Sequence, residues 1–245
     1  MSDAPFLSVV IPAYNEEDRI VIALEKTLAF LDSRDYPGEV VVVSDGSRDR
    51  TVSVARSYEG RFRTVVRVLE YFPNRGKGYA VAYGMLRAEG SRILFMDADY
   101  AVPIEDIEKA HKALDEDFDI AIGSRSVTGA TVLSPQNLPR RLSGKLYTLI
   151  QNVYLGMNYP DTQCGFKMFT NKAAKRLFAL QKLDSVIFDA EILWLAKVHG
   201  FSAAQFPVKW THVENSRIQY DSLKKSLFIF EELFRIRKLH RKDPP

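Results

Sequence analysis

Apolar residues alternate along the chain between two rhythms. Residues 6–11 form a short, largely β-branched run stopped by Pro12. Residues 16–31 then carry Ile20, Leu24, Leu28 and Leu31, the spacing of one helix face. Residues 39–43 are a second β-branched run, ending in Ser44-Asp45-Gly46-Ser47, and residues 48–58 suit a short helix. The alternation repeats: strand over 64–69, helix over 76–88, strand over 92–96, helix over 104–114, strand over 119–122. Strands alternating with helices predict an α/β fold with a doubly wound, mostly parallel sheet and right-handed crossovers.

After Gly123 the alternation breaks. Residues 124–138 are rich in Ser, Thr, Gly and Pro and long enough for an active-site lid or substrate loop. A helix over 139–158 precedes the segment 161–169, and helices follow over 172–180 and 189–199. A strand over 206–210 leads to a long amphipathic helix over 221–239. No repeat, low-complexity stretch or interdomain linker stands out. The expected layout is one domain over 1–219, with halves 1–123 and 124–219, and a basic amphipathic helix over 220–245.

With 245 residues, 46% of them hydrophobic, the chain can bury a substantial core. The net charge of +3 gives no reason to expect nucleic acid as a partner. The basic excess is local: Arg235, Arg237, Lys238, Arg241 and Lys242 crowd the C-terminus. Cys164 is the only cysteine, so no intrachain disulfide forms, in agreement with a reducing compartment. Residues 1–5 lack the basic start and apolar core of a signal peptide. No run of about 18 apolar residues predicts a spanning helix.

Four expected strand ends carry polar residues: Pro12-Ala-Tyr-Asn-Glu16, Ser44-Asp-Gly-Ser47, Asp97-Ala-Asp99 and Gly123-Ser-Arg125. Ligands of open α/β sheets bind outside the carboxyl ends of the strands, so the four segments should converge on one crevice. Mg²⁺ takes oxygen ligands and keeps part of its shell for substrate phosphates. Asp-x-Asp at a strand end can hold such a metal, although solvated loop acids have the same sequence. An Asp such as Asp45 can accept a base N–H, or simply serve an Asp-Gly turn. With a cation at Arg125, the set describes a nucleotide-diphosphate site.

The residues also resemble a known family. Ser8-Val-Val-Ile-Pro-Ala-Tyr-Asn-Glu-Glu17, Val43-Ser-Asp-Gly-Ser-Arg-Asp-Arg-Thr51, Asn74-Arg-Gly-Lys-Gly78 and Asp97-Ala-Asp99 resemble family 2 glycosyltransferases with the GT-A, Rossmann-like fold. Asp161-Thr-Gln-Cys-Gly-Phe-Lys167, Phe188-Asp-Ala-Glu191, Val208-Lys-Trp210 and Ser216-Arg217 narrow the likeness to dolichyl-phosphate β-glucosyltransferases. Such enzymes move glucose from UDP-glucose onto a polyprenyl phosphate, for protein glycosylation or the cell envelope.

The resemblance implies roles. Pro12, Tyr14 and Glu16 line the base and ribose pocket; Asp45 contacts the base, although Ser44 stands where the family usually has another acid. Gly76 and Gly78 let the backbone approach the donor, with Lys77 near sugar or diphosphate; the competing reading is a plain helix start. Asp99 is the Mg²⁺ or Mn²⁺ ligand, with Asp97 and Ala98 beside it on the donor, Asp97 directly or through water. Arg217 meets the donor diphosphate. Arg125 with Arg140 or Arg141 grips the acceptor phosphate, and Asp161 and Gln163 border it; the arginine pair also fits a solvated helix start. Asp189 is either catalytic or a helix cap. His199, His212 and Cys164 read as structural.

A phosphate monoester is mostly dianionic at pH 7 and needs no base to attack C1. One inverting displacement is therefore expected, by alignment and charge stabilisation. The apolar stripes over 142–157 and 223–236 fit core packing or, with the basic C-terminus, peripheral contact at the cytoplasmic face of a membrane. The competing functions are a GDP-mannose-dependent mannosyltransferase, transfer to a hydroxyl acceptor, and a nucleotide-sugar-binding regulator without turnover.

Overall fold

The computed structural model describes residues 4–134, 138–213 and 223–242. The first half runs β1 (Leu7–Ala13), α1 (Ile20–Asp32), β2 (Gly38–Asp45), α2 (Thr51–Arg56), β3 (Val65–Tyr71), α3 (Lys77–Arg87), β4 (Arg92–Met96), α4 (Ile107–Asp115) and β5 (Ile120–Ser124). The second half adds β6 (Thr131–Ser134), α5 (Leu138–Leu155), β7 (Phe166–Thr170), α6 (Asn171–Leu180), α7 (Phe188–Val198), β8 (Ala203–Pro207), β9 (Lys209–Thr211) and α8 (Leu223–Leu239). Seven strands form one sheet in the order β3-β2-β1-β4-β7-β5-β8; β6 and β9 pair separately.

The central strands are apolar on both faces because helices cover both sides. Side chains alternate with the pleat. Val9, Ile11, Val40 and Val42 face the cluster that includes α1 and α4. Val10, Val41 and Val43 face the other, built on α3, α6 and α7. A Cβ on Gly84 of α3 would lie 2.4 Å from Val10 Cγ1, so the glycine sets how closely α3 approaches the sheet.

Three features depart from the expected pattern. β1 continues through Pro12 to Ala13, because its pairing with β4 ends at Val10 and the proline ring sits beyond it. β7 runs antiparallel to β4 and β5. Its first residue, Phe166, pairs with Met96 at the carboxyl end of β4, so β7 enters the sheet from that edge. The single strand expected over 206–210 is split: Pro207 ends β8, and β9 pairs with the four-residue β6 inside the expected loop.

α8 packs against α5 and α7, with Leu233 and Ile236 fully buried in the second cluster. On the outer side of this pair Leu142, Leu146, Leu149 and Val153 of α5 and Leu227, Phe228 and Phe234 of α8 are exposed.

Candidate active site

The loops after β1 and β2 are joined along their length. Asn15, at φ 53°, donates its N–H to Ser47 and accepts from the Arg48 N–H. Glu16 donates its N–H to Thr51 at 2.8 Å, and Glu17 donates its own to Asp49 at 3.2 Å. Much of the polar text of the two motifs therefore holds the two loops in register. The joined loops form one wall of a cleft of about 280 Å³ at the carboxyl edge of the sheet. Pro12, Tyr14, Glu16, Asp45, Lys77, Asp97, Ala98 and Asp99 all line it, so residues from separate strand ends that were expected to hold the donor share one space.

Asp45 is already saturated. Its carboxylate accepts from Tyr71 Oη at 2.8 Å, the Arg75 N–H at 2.7 Å, Asn74 Nδ2 at 2.8 Å and the Gly76 N–H at 2.9 Å. A carboxylate offers about four acceptor sites, and here all are taken. Asp45 thus shapes the wall by fastening the 74–76 turn, and a base N–H would have to displace one of these donors. The expectation for Gly76 and Gly78 also changes. Their missing Cβ atoms leave room for the protein's own backbone: a Cβ at Gly76 would meet Asp184 O at 2.5 Å, and one at Gly78 would meet Leu183 O at 2.6 Å.

Lys77, the first residue of α3, pairs with Asp97 Oδ1 at 2.6 Å. Burial alone would pull its pKa down, yet Asp97, and then Asp189, hold the ammonium above its ordinary value. Asp97 is fixed from the other side by its N–H, which donates to Gly165 O at 3.1 Å. A Cβ on Gly165 would lie 2.0 Å from Asp97 Oδ2, so any side chain there would push the Asp97 carboxylate from its place. Asp99 accepts one bond, from the Ala101 N–H at 3.1 Å. Burial and then repulsion from Asp97 push its pKa up. A carboxylate crowded by its neighbour and short of donors is what a divalent cation relieves. Among the described residues no group of three or more His, Cys, Asp or Glu side chains could hold a metal. Two carboxylates therefore fit a hard cation that takes its other oxygens from substrate phosphates and water.

Arg125, at the end of β5, is clamped by Asp161: Nε to Oδ2 is 2.7 Å and Nη2 to Oδ1 is 2.8 Å. The Arg125 and Gln163 N–H groups fill the remaining sites of that carboxylate. Burial opposes both charges, but the pair holds Asp161 below the usual carboxylate range and Arg125 above its own. Asp161 therefore orients Arg125, and its own acceptor sites are filled by Arg125 and Gln163. The guanidinium also lies 5.3 Å from the Trp210 ring centroid.

Asp189 does not cap its helix. The cap is Ile187, without a side-chain bond, and Asp189 is buried in the first turn as the second residue of α7. It pairs with Lys167, whose ammonium also donates to Cys164 O at 2.7 Å. Burial raises the Asp189 pKa, and Lys167 and Lys77 partly offset that. The pair supports the turn at 164–165 from beneath. Burial likewise pushes the Cys164 thiol up to about 12, which leaves it unreactive.

Arg140 and Arg141 lie in the first turn of α5, but their side chains are outside the described residues, as is Arg217. Two cleft residues had no signal in the sequence reading. Arg19 lines the wall and pairs with Glu16 at 3.3 Å, and its charge also acts on Asp99. Val186 closes the cleft from a turn about a hundred residues after the loop it faces.

The glycosyl transferase family 2 profile matches residues 8–178. A dolichyl-phosphate beta-glucosyltransferase of Drosophila melanogaster is 38% identical over 232 residues, 89% of this chain and 71% of that protein. Its Homo sapiens namesake is 35% identical over 224 residues, 86% of this chain and 69% of that protein. Glucosyl-3-phosphoglycerate synthase from Mycobacterium tuberculosis, solved with Mn²⁺, UDP and glucosyl-3-phosphoglycerate, shares the fold. Its TM-score is 0.68 at 18% identity, covering 98% of this chain and 81% of that one.

Proposed function

The chain belongs to glycosyl transferase family 2 and has the GT-A fold, and from that premise we propose that it transfers glucose from UDP-glucose to a dolichyl-type polyprenyl phosphate, with inversion and release of UDP. The observation that carries this reading is the division of the carboxyl edge. Lys77, Asp97 and Asp99 sit in the cleft, and Arg125 stands apart from its lining with its guanidinium plane fixed. The names of the relatives support the sugar and the lipid class.

Pro12, Tyr14 and Glu16 bracket the nucleoside, and the half-exposed Tyr14 forms the lip. Asp99, with Asp97, would hold Mg²⁺ or Mn²⁺, which when bound neutralises charge on the leaving diphosphate. Lys77 is kept protonated beside Asp97 and adds a second positive charge there. The acceptor phosphate is its own nucleophile, so no residue has to remove a proton. Arg125 presents its guanidinium to that phosphate, oriented by Asp161. Arg140 or Arg141 completes the acceptor grip, and Arg217 meets the donor.

No helix among the described residues is long and apolar enough to cross a membrane. The bare leucines of α5 and the aromatic residues of α8 form the peripheral contact with the lipid surface, at the cytoplasmic face. Basic residues Arg237, Lys238 and Arg241 near the end of α8 favour anionic headgroups.

Titration with UDP and GDP in the presence of Mn²⁺ tests the donor. Tighter UDP binding is expected. Preferential GDP binding would move the protein to the mannosyl branch.

A further inference from the structure

We infer that α8 is a positioning element for the donor cleft, acting through the strap of residues 181–187 between α6 and α7. The inference rests on the donor reading above for what the cleft binds.

The strap has two bonded sides. Towards the cleft, Asp184 O accepts from the Gly78 N–H at 2.9 Å and the Tyr79 N–H at 3.4 Å. Gln181 Nε2 donates to Gly78 O at 2.9 Å, and Arg75 pairs with Asp184 at 2.9 Å. The missing Cβ atoms of Gly76 and Gly78 leave no gap between strap and helix start. The strap therefore sets where α3 begins, and α3 begins with Lys77. Val186, also on the strap, is itself cleft wall.

Towards the C-terminus, buried Glu191 accepts from the Lys182 and Leu183 N–H groups, both at 2.9 Å. The same carboxylate meets His240 Nε2 at 2.6 Å, just past the end of α8. Lys182 Nζ donates to Leu239 O at 2.9 Å, and Ser185 Oγ donates to Glu232 Oε2 at 3.1 Å. Apolar contact through Leu233 and Ile236 would hold α8 on the core without fixing a direction. Hydrogen bonds fix distance and angle. Glu232 and His240 thus place the strap, and the strap places Gly76, Lys77 and Val186 around the donor. None of the three α8-end contacts touches the cleft, so they are positioning groups.

The experiment is calorimetric titration of UDP with Mn²⁺ into the wild-type chain and the variants His240→Ala, His240→Gln and Ser185→Ala, with donor and acceptor KM recorded for each. UDP should weaken by about five- to tenfold in His240→Ala and about two- to threefold in Ser185→Ala, which loses the Glu232 bond together with the acceptor of the Ile187 N–H at 3.2 Å. Donor KM should rise in parallel while acceptor KM stays within about twofold. His240→Gln keeps a side-chain N–H for Glu191 and should recover most of the affinity. Wild-type UDP affinity in a folded His240→Ala protein overturns the inference. If His240→Ala does not fold, unchanged UDP affinity in Ser185→Ala overturns it. A wild-type chain that binds no UDP overturns the donor reading instead. Hydrogen exchange at residues 76–80 then decides the strap: protection lost in the variants supports it, and unchanged protection contradicts it.

Discussion

In the cleft Asp45 and Asp97 are partnered before any ligand arrives, whereas the proposed acceptor side offers one clamped arginine and, on α5, a bare apolar face. Asp45 holds four donors, Asp97 is held by Lys77 and Gly165, and the loops after β1 and β2 are joined bond by bond. Outside the cleft lining, Arg125 is fixed by Asp161, and α5 leaves Leu149 at 60% and Val153 at 76% exposure. The difference matches the two substrates of the proposed reaction. A nucleotide-sugar is small and charged and rewards preorganised polar groups. A polyprenyl phosphate needs one anchored charge and an open apolar approach for its chain. Perturbations on one side should therefore register in the kinetics of one substrate.

The sharpest break falls on the donor side. Asp99→Ala should lower turnover by about a thousandfold or more, the scale of several kcal/mol of lost charge stabilisation. Its melting temperature should stay near wild type, because Asp99 makes only the one bond to Ala101. Near-normal turnover with wild-type dependence on metal would remove Asp99 from the metal site.

A smaller effect should appear on the acceptor side alone. Arg125→Ala should reduce kcat/KM for polyprenyl phosphate by about ten- to a hundredfold, the worth of one charge-assisted contact. Lysine should recover only part of it, since it keeps the charge and loses the paired donors that Asp161 aligns. Titration of UDP should be unchanged in both. An equal loss of UDP affinity would mean that the two phosphate positions lie on the same side.

The smallest effect concerns the approach. The double variant Leu149→Glu/Val153→Glu should cut binding to anionic vesicles by about tenfold, as two apolar contacts are replaced by charges facing anionic headgroups. Stability should change by no more than about 0.5 kcal/mol per site, since both side chains are already exposed. Undiminished vesicle binding would assign the apolar face another partner.

Most of the first half of this architecture could be read from the chain. The runs at β1, β2 and β4 are apolar on both faces, and the polar residues that end them mark the carboxyl edge, so Pro12, Tyr14, Glu16, Asp45, Asp97 and Asp99 stood out by position, while Lys77 was legible only through the family likeness. The direction of β7 was not legible, because hydrophobic pattern carries no strand direction. β6 and β9 pair over too few residues to stand out from a polar loop. The clamp between Arg125 and Asp161 spans 36 residues, and spacing does not show who faces whom. Asp45 and Asp189 looked like ligand-facing acids; their partners, Tyr71 and Lys167, are visible only in three dimensions. Val186 is an ordinary apolar residue that becomes cleft wall because Gly76 and Gly78 let its turn come close.

The proposed reaction is a glucosyl transfer onto a lipid phosphate. Its most direct test incubates the protein with Mn²⁺, a polyprenyl phosphate, and UDP-glucose or GDP-mannose in turn, and weighs the lipid product by mass spectrometry. A hexosyl-phosphate lipid should form from UDP-glucose and be absent with Asp99→Ala. Product formed from GDP-mannose alone, or no lipid product from either donor, would contradict it.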